Sequence, residues 1–311
     1  MQLGAATNLC GSAAAIAFGL ALLAACSSAP YEPGKLSTEQ VAKCRALEAA
    51  YRTNSADYPA LRDDLAQDGT AAAWLVRMFV SDLFAVREER PLTEDTEFLR
   101  AAARITNPVE VRALAEIKAL GAVAVPTLVG DLLQHEQPQP RELGIELLGL
   151  VGAPAVPRLL DIVQNGETKH RRAAARALGR IGVDGQILAT LRELVNDSDY
   201  TVRADALRSL RGGGLPAQQL LIERLRGDGD PFVRRVAAET LGHFKATSTV
   251  VAVVDYLERC KLERDYPGEQ AAQKSLQRLS GTRSPRTPQA WRVWGVEAGE
   301  LEPGNPSTQG R

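Results

Sequence analysis

The chain has 311 residues, of which 45% are hydrophobic and only 5% aromatic, a composition typical of helices packed through small and aliphatic side chains. The 37 basic and 38 acidic residues nearly cancel, leaving a formal net charge of −1. The chain therefore lacks the positive excess with which proteins usually neutralise a phosphate backbone, so nucleic-acid binding is disfavoured.

The N-terminal residues predict an export signal. Residues 1–25 carry no charge, and 13–25 form a small-to-apolar run that is shorter than a membrane span but matches a signal-peptide core. The run ends in Leu-Ala-Ala directly before Cys26, which resembles a bacterial lipobox, although no Lys or Arg precedes the run. The resemblance implies a signal peptide over 1–25 and lipidation of Cys26. An ordinary secretory signal with a chance cysteine is the alternative.

A lipidated Cys26 predicts a membrane-anchored lipoprotein of the cell envelope. Its several acyl chains would anchor it stably, because two lipid signals already suffice. Ser27, rather than Asp, follows the cysteine, which resembles the outer-membrane sorting default of two-membrane bacteria. We therefore expect a lipidated tether over 26–36 and a location at the outer membrane, facing the periplasm.

Residues 37–107 read as a helical N-terminal cap or as degenerate repeats. Ser37 is suited to an N-cap, and Pro91 follows the most apolar stretch of this region. A stack of repeats needs such a cap, because each unit leaves one apolar face unburied. The helices predicted here cover residues 37–52, 57–67, 70–90 and 93–104.

A pattern with a period near thirty residues occupies the middle of the chain. Four arginines fall 30, 32 and 31 residues apart, each followed by a small residue three positions on and by a leucine seven positions on. Such a period is typical of stacked helical units, so we predict an all-α fold. The repeated positions are Arg141, Arg171, Arg203 and Arg234, with Leu148, Leu178, Leu210 and Leu241.

Within each repeat the pattern predicts two helices and a capped turn. The first helix is expected to end near Leu-Gly, at Gly149, Gly179 and Gly242, because glycine permits a reversal of the backbone. The sequence Asp-x-x-Val-Arg occurs twice between repeats, so Asp199 and Asp230 can cap the next helix. The arginine of the pattern can reach an aspartate of an adjacent unit through its planar guanidinium.

These residues resemble the HEAT repeats of the short, phycobilisome-lyase-like subclass, whose pattern is Asp, Val-Arg, small residues, Leu-Gly and an amphipathic helix. The resemblance covers about 110–260, and we place the repeats at 108–260. It implies an α-α superhelix, or HEAT-repeat solenoid, that binds proteins. The lyase activity of relatives does not follow, because the shared residues are those that hold helices together.

The C-terminal part resembles the terminal cap of bacterial lipoproteins of this kind, and we predict a helical cap over 261–298. Thr287 and Pro288 suit the start of a helix that carries Trp291 and Trp294 on one face. This tryptophan pair is expected to seal the last repeat; a ligand platform is the alternative. Residues 299–311 are expected to be disordered.

No motif predicts catalysis, a metal site or a cofactor. None of the three histidines has a second ligand at helical spacing, and no nucleophile motif is present. Cys44 and Cys260 are expected to be buried free thiols; a disulfide, which a periplasmic setting would permit, is the alternative. A basic cluster around Lys169 and Arg172 could meet an acidic partner or an anionic polymer, but a solvated helix face is favoured.

We therefore predict a non-enzymatic, lipid-anchored envelope scaffold that binds a protein partner and no small-molecule substrate. An envelope structural protein that contacts peptidoglycan or assembles with itself is one alternative, and an accessory subunit of an envelope enzyme is another. The predicted partner surface is the exposed side of the second helices, where charges of both signs alternate. Its residues are Thr127, Asp131, Arg158, Asp161, Arg192, Glu193, Gln219, Glu223, Asp255 and Glu258.

Overall fold

The structure, a computed structural model, describes residues 36–88, 107–282 and 287–300, with the backbone alone for 295–300. Every regular element in these ranges is helical, which confirms the predicted all-α fold. Several predicted features lie outside the described residues. They are the signal peptide, Cys26 with nearly all of its tether, the helix over 93–104, and 301–311 of the tail, whereas 299 and 300 belong to a helix.

The chain divides into two compact units, Met1–Arg158 and Leu159–Arg311. In the first unit, a π-helix over Leu128–Leu133 continues α5. The predicted helices over 37–52, 57–67 and 70–90 match α1, α2 and α3 to within two residues at each end. The helices of this unit are α1 (Thr38–Thr53), α2 (Tyr58–Leu65), α3 (Gly69–Glu88), α4 (Pro108–Leu120), α5 (Val125–Thr127) and α6 (Pro138–Val151).

Local signals explain where the first helix begins and ends. The Ser37 hydroxyl accepts the backbone N–H of Gln40, and the Gln40 side chain accepts the N–H of Ser37, which forms a capping box. Asn54 ends the helix in the left-handed conformation at φ 57°, where its own N–H satisfies carbonyls of the last turn. The helix is thus fixed at both ends by residues outside its apolar face.

By length and composition alone, two helical stretches of the first unit could span a membrane, Gly69–Arg87 and Pro108–Leu133. Within the protein, 67% of the most apolar window of the first stretch is buried, and 44% of that of the second. Leu75, Phe79 and Leu83 of α3 are fully buried. Packing against neighbouring helices thus accounts for much of the apolar character of α3.

The second unit consists of helical pairs. The first helices of successive pairs pack side by side, α8 on α10, α10 on α12 and α12 on α14, and α15 packs on α13. The preceding helix, α7 (Val156–Asn165), crosses the boundary between the units. The helices are α8 (Thr168–Ile181), α9 (Gly185–Leu194), α10 (Tyr200–Ser209), α11 (Gly214–Gly227), α12 (Pro231–Leu241), α13 (Thr247–Glu263), α14 (Tyr266–Ser280) and α15 (Pro288–Glu300).

The first helices end near Leu-Gly as predicted, but the prediction that the glycine of this dipeptide forms the backbone reversal is wrong for two repeats. Helix α6 continues past Gly149 to end before Gly152, at φ 78°, and α8 continues past Gly179 to end before Gly182, at φ 132°. Only Gly242 follows the last residue of its helix, α12. The backbone reversals therefore use the glycine three positions later, whose positive φ other residues rarely adopt.

Gly179 has a different physical reason, which is helix packing. A Cβ atom at this position would lie 2.5 Å from the Cβ of Ser209 and 2.7 Å from its Cα. Gly144 of α6 is constrained in the same way, because its Cβ would lie 2.8 Å from the backbone nitrogen of Leu133. These glycines allow neighbouring helices to approach closely, so they specify packing and not chain reversal.

Candidate protein-interaction surface

The repeated arginines bind the loops between repeats. In α10, Arg203 directs Nε and Nη2 at the two carboxylate oxygens of Asp228, each at 3.0 Å, while Nη1 donates to the carbonyl of Asp197 at 2.9 Å. In α8, Arg171 forms the same fork with Asp197, at 3.0 and 3.1 Å, and donates to the carbonyl of Gly166. Each guanidinium thus ties the loop before its helix to the next inter-repeat loop.

At the junctions before α10 and α12, one aspartate caps the helix and a second binds the arginine fork. Asp199 caps α10 by accepting the N–H of Thr201 at 2.8 Å, and Asp230 caps α12 by accepting the N–H of Phe232 at 2.8 Å. The fork partners are instead the aspartates two positions earlier, Asp197 and Asp228 (the latter 2% exposed in its side chain), which also accept the N–H groups of the two capping residues. Sequence reasoning missed these partners, although the Asp-x-Asp spacing at both junctions was a usable signal.

The arginine contacts change at the ends of the series. Arg141 donates to the carbonyl of His135 at 2.9 Å, as the other repeated arginines do to their preceding loops. Arg234 donates to the carbonyl of Asp228 at 2.8 Å, but its nearest carboxylate contact, with Glu263, is 4.0 Å long. The repeated leucines are fully buried, namely Leu148, Leu178, Leu210 and Leu241. The repeated residues therefore serve packing within the protein.

The predicted partner surface is divided by the fold. In the second unit, Arg192 and Glu193 on α9 are exposed, as are Gln219 and Glu223 on α11. Glu223 accepts a hydrogen bond from the neighbouring Arg224 at 2.7 Å, which leaves both groups at the surface of their own helix. These four residues form the exposed part of the predicted surface in this unit, hereafter the second-helix surface.

The two predicted residues on α13 bind the C-terminal helix. Arg292 of α15 contacts Asp255 at 2.8 Å and Glu258 at 2.7 Å. The pKa of Glu258 is lowered, chiefly by its hydrogen bond from Arg292. Trp291, one position earlier, is fully buried and donates from Nε1 to the Oε1 of Gln273 at 3.0 Å. Buried placement of this ring favours packing on the repeats over an open ligand platform.

The remaining predicted residues lie in the first unit or at its boundary. Asp131 accepts two hydrogen bonds from Arg77 of α3, at 2.6 and 3.3 Å, and Thr127 beside it is half-buried. Arg158 is exposed, and Asp161 accepts a hydrogen bond from Asn165 at 2.9 Å. Asp131 therefore already has a partner within its own unit.

Cys44, Cys260 and His135 are buried in ways that suppress their reactivity. Cys44 and Cys260 are free and buried, and burial is the main reason that the pKa of each thiol rises to about 11. Burial also lowers the pKa of His135, whose Nδ1 accepts the backbone N–H of Gln137 at 3.0 Å. No three His, Cys, Asp or Glu side chains of the described residues come together as metal ligands.

Comparison with known proteins supports the repeat assignment. The profile of the family described as HEAT repeats matches residues 125–211 and 188–277, so the matched range extends into the predicted C-terminal cap. No curated protein matches the sequence. The chain is similar to one in the solved complex of CpcE and CpcF of phycocyanin lyase from Nostoc sp. PCC7120, at 19% identity, over 88% of this chain and 98% of that chain, with a TM-score of 0.36. An overlap at that score says nothing about a shared activity. Residues 125–277 are HEAT repeats.

Proposed function

We propose that the protein is a non-enzymatic scaffold, anchored by lipid in the cell envelope, that binds a protein partner through its HEAT repeats. The proposal rests chiefly on one observation. The repeated residues make their contacts inside the protein, whereas Arg192, Glu193 and Gln219 of the second-helix surface are exposed. Stacked helical pairs with a patterned polar surface are a common platform for protein recognition.

The polar character of this surface favours a selective contact over a purely apolar one. Arg192 and Glu193 are adjacent and opposite in charge, and Glu223 and Arg224 repeat that pairing on α11. Surface charges of this kind steer association and exclude partners of the wrong pattern, while adding little to the stability of the protein itself. The lipid at Cys26 would hold this surface near the membrane.

A pull-down from envelope extracts tests the second-helix surface. We expect Arg192→Glu to reduce recovery of the partner by roughly tenfold, because reversing an interface charge places like charges opposite each other. The matched control is Lys118→Glu, which makes the same charge change at an exposed position of the first unit. Equal recovery with both variants would exclude the second-helix surface as the binding site.

A further inference from the structure

Among helices α8–α14 of the second unit, the excess of positive charge lies on the first helices. Helices α8, α10, α12 and α14 contain eleven Lys or Arg against three Asp or Glu, whereas α9, α11 and α13 contain five of each. The chain as a whole is nearly neutral. The charge is thus sorted by helix, and one face of the unit is basic although the composition is balanced.

Side-chain contacts join these helices into one continuous surface. Arg172 of α8 forms a salt bridge with Asp205 of α10 at 2.8 Å, and the same carboxylate forms a second salt bridge with Arg208 at 2.9 Å. Arg208 and Arg235 of α12 both lie over the ring of Phe232, at 5.4 and 5.1 Å from its centroid. The surface therefore runs across three helices without a gap; we call it the basic face.

The basic face continues to α14 and holds more positive charge than its own carboxylates neutralise. Arg278 of α14 contacts Nε2 of His243 at 3.0 Å. Partial burial, together with the positive charges of Arg211 and Arg278, lowers the pKa of His243 below its ordinary value. Among the described residues, no carboxylate lies within salt-bridge distance of Arg180, Arg211 or Arg235, and Asp205 is shared by two arginines.

We propose that the basic face docks an acidic segment of a partner protein, one rich in Asp and Glu. The inference rests on the proposed function and names the chemistry of the partner. Guanidinium groups bind carboxylates through paired hydrogen bonds, as Arg171 and Arg203 already do with aspartates of this chain. The exposed ring of Tyr200, packed edge-on against Phe232 at 6.0 Å, adds an apolar contact within the basic face.

The charge of the whole chain favours an acidic protein over a phosphate polymer. Long polyanions bind proteins through a large count of cationic contacts and are repelled by the acidic surface around them. Here a net charge of −1 means that the rest of the chain offsets the basic face. A short acidic segment can bind the basic face without strong repulsion from the acidic residues elsewhere. Salt screening limits the range of interactions between exposed charges to about 8–10 Å at physiological ionic strength.

Binding of a labelled twelve-residue oligoglutamate to the full chain, held in neutral detergent, tests the inference by fluorescence anisotropy. We expect salt-sensitive binding that weakens about tenfold or more in the double variant Arg211→Glu with Arg235→Glu, because reversing two charges changes the net charge at the site by about four units. The double variant Arg211→Gln with Arg235→Gln is expected to give an intermediate loss and carries less risk to folding. The matched control, Arg226→Glu with Lys261→Glu at exposed positions of second helices outside the second-helix surface, is expected to bind like the unchanged protein.

Three results would overturn the inference. They are the absence of oligoglutamate binding, an equal loss in the Arg226 control, and tighter binding of a single-stranded oligothymidylate of the same length, which would indicate a phosphate ligand. Failure here is distinguishable from failure of the proposed function. If the envelope partner is still recovered with the Arg211 variants but is lost with Arg192→Glu, the proposed scaffold function stands. Only the proposal that the basic face binds the partner is then overturned.

Discussion

Replacing Arg203 with alanine is expected to lower the free energy of unfolding by about 3–5 kcal/mol, because it leaves a buried carboxylate without its partner. The side chain of Asp228 is only 2% exposed and loses both hydrogen bonds of the guanidinium fork. The carbonyl of Asp197 loses its donor as well. Urea unfolding followed by circular dichroism measures the effect.

Two controls separate the buried pair from a general loss of arginine. Arg192→Ala removes an exposed arginine of the same unit, and we expect a change within about 0.5 kcal/mol. Adding Asp228→Leu to Arg203→Ala removes the orphaned charge, so part of the lost stability is expected to return. If Arg203→Ala destabilises no more than Arg192→Ala, the guanidinium fork does not hold the junction together.

The pH dependence of the Arg203 effect has a definite sign. Burial alone would raise the pKa of Asp228, but the hydrogen bonds from Arg203 and from the N–H of Asp230 outweigh it and hold the pKa below its ordinary value of 3.8. A carboxylate whose pKa is lower in the folded than in the unfolded protein stabilises the fold at pH values above its unfolded-state pKa. This stabilisation is lost as the pH falls through the folded-state pKa. The deficit of Arg203→Ala is therefore expected to be full at pH 7 and to shrink below about pH 4.

Replacing Gly179 with leucine is expected to destabilise the protein by about 3 kcal/mol, since it forces α8 and α10 apart. Even a Cβ at this position would lie 2.5 Å from the Cβ of Ser209 and 2.7 Å from its Cα, and the backbone of α10 cannot yield as a flexible side chain would. Alanine is expected to destabilise less than leucine. Thermal unfolding of the three proteins gives the order directly.

Gly185 supplies the matched control for Gly179. It begins α9, and a Cβ there would meet nothing within 4 Å. We expect Gly185→Leu to be neutral or to stabilise by up to about 1 kcal/mol, because glycine is the poorer helix former. Comparable destabilisation by both substitutions would mean that Gly179 is not a packing contact between α8 and α10.

The fold was largely predictable because its strongest signals are local or periodic. The leucines at the repeated position, such as Leu178 and Leu241, mark the buried face of every first helix. The helix caps at Asp199 and Asp230 were also predictable from the sequence, because a carboxylate just before an apolar stripe can accept hydrogen bonds from the first N–H groups of a helix. Each of these inferences needs only a few neighbouring residues.

What escaped the sequence depends on contacts between distant residues. The partners of the arginine forks, Asp197 and Asp228, lie 26 and 25 residues beyond Arg171 and Arg203, so only the folded junction shows which aspartate is in reach. Gly179 was misread for the same reason, because its constraint comes from Ser209 on another helix.

The basic face was equally hidden from sequence reasoning. Its arginines belong to helices that are separate along the chain, and the net charge near zero gives no sign that they lie on one face. The cluster near Arg172 was visible, but its connection to Arg208 and Arg235 requires the packing of three helices. Periodicity predicted which residues hold the repeats together, whereas the distribution of the remaining charges emerged only with the fold.

Crosslinking in the native envelope, followed by mass spectrometry of the purified chain, tests the central claim that this protein is an anchored binding scaffold. We expect an acylated Cys26 at the N-terminus of the recovered protein. We also expect crosslinks from residues 159–282 to an acidic segment of one protein partner or a small set of partners. An unmodified Cys26 would contradict the anchor. Recovery of the chain without any crosslinked protein would contradict the scaffold function itself.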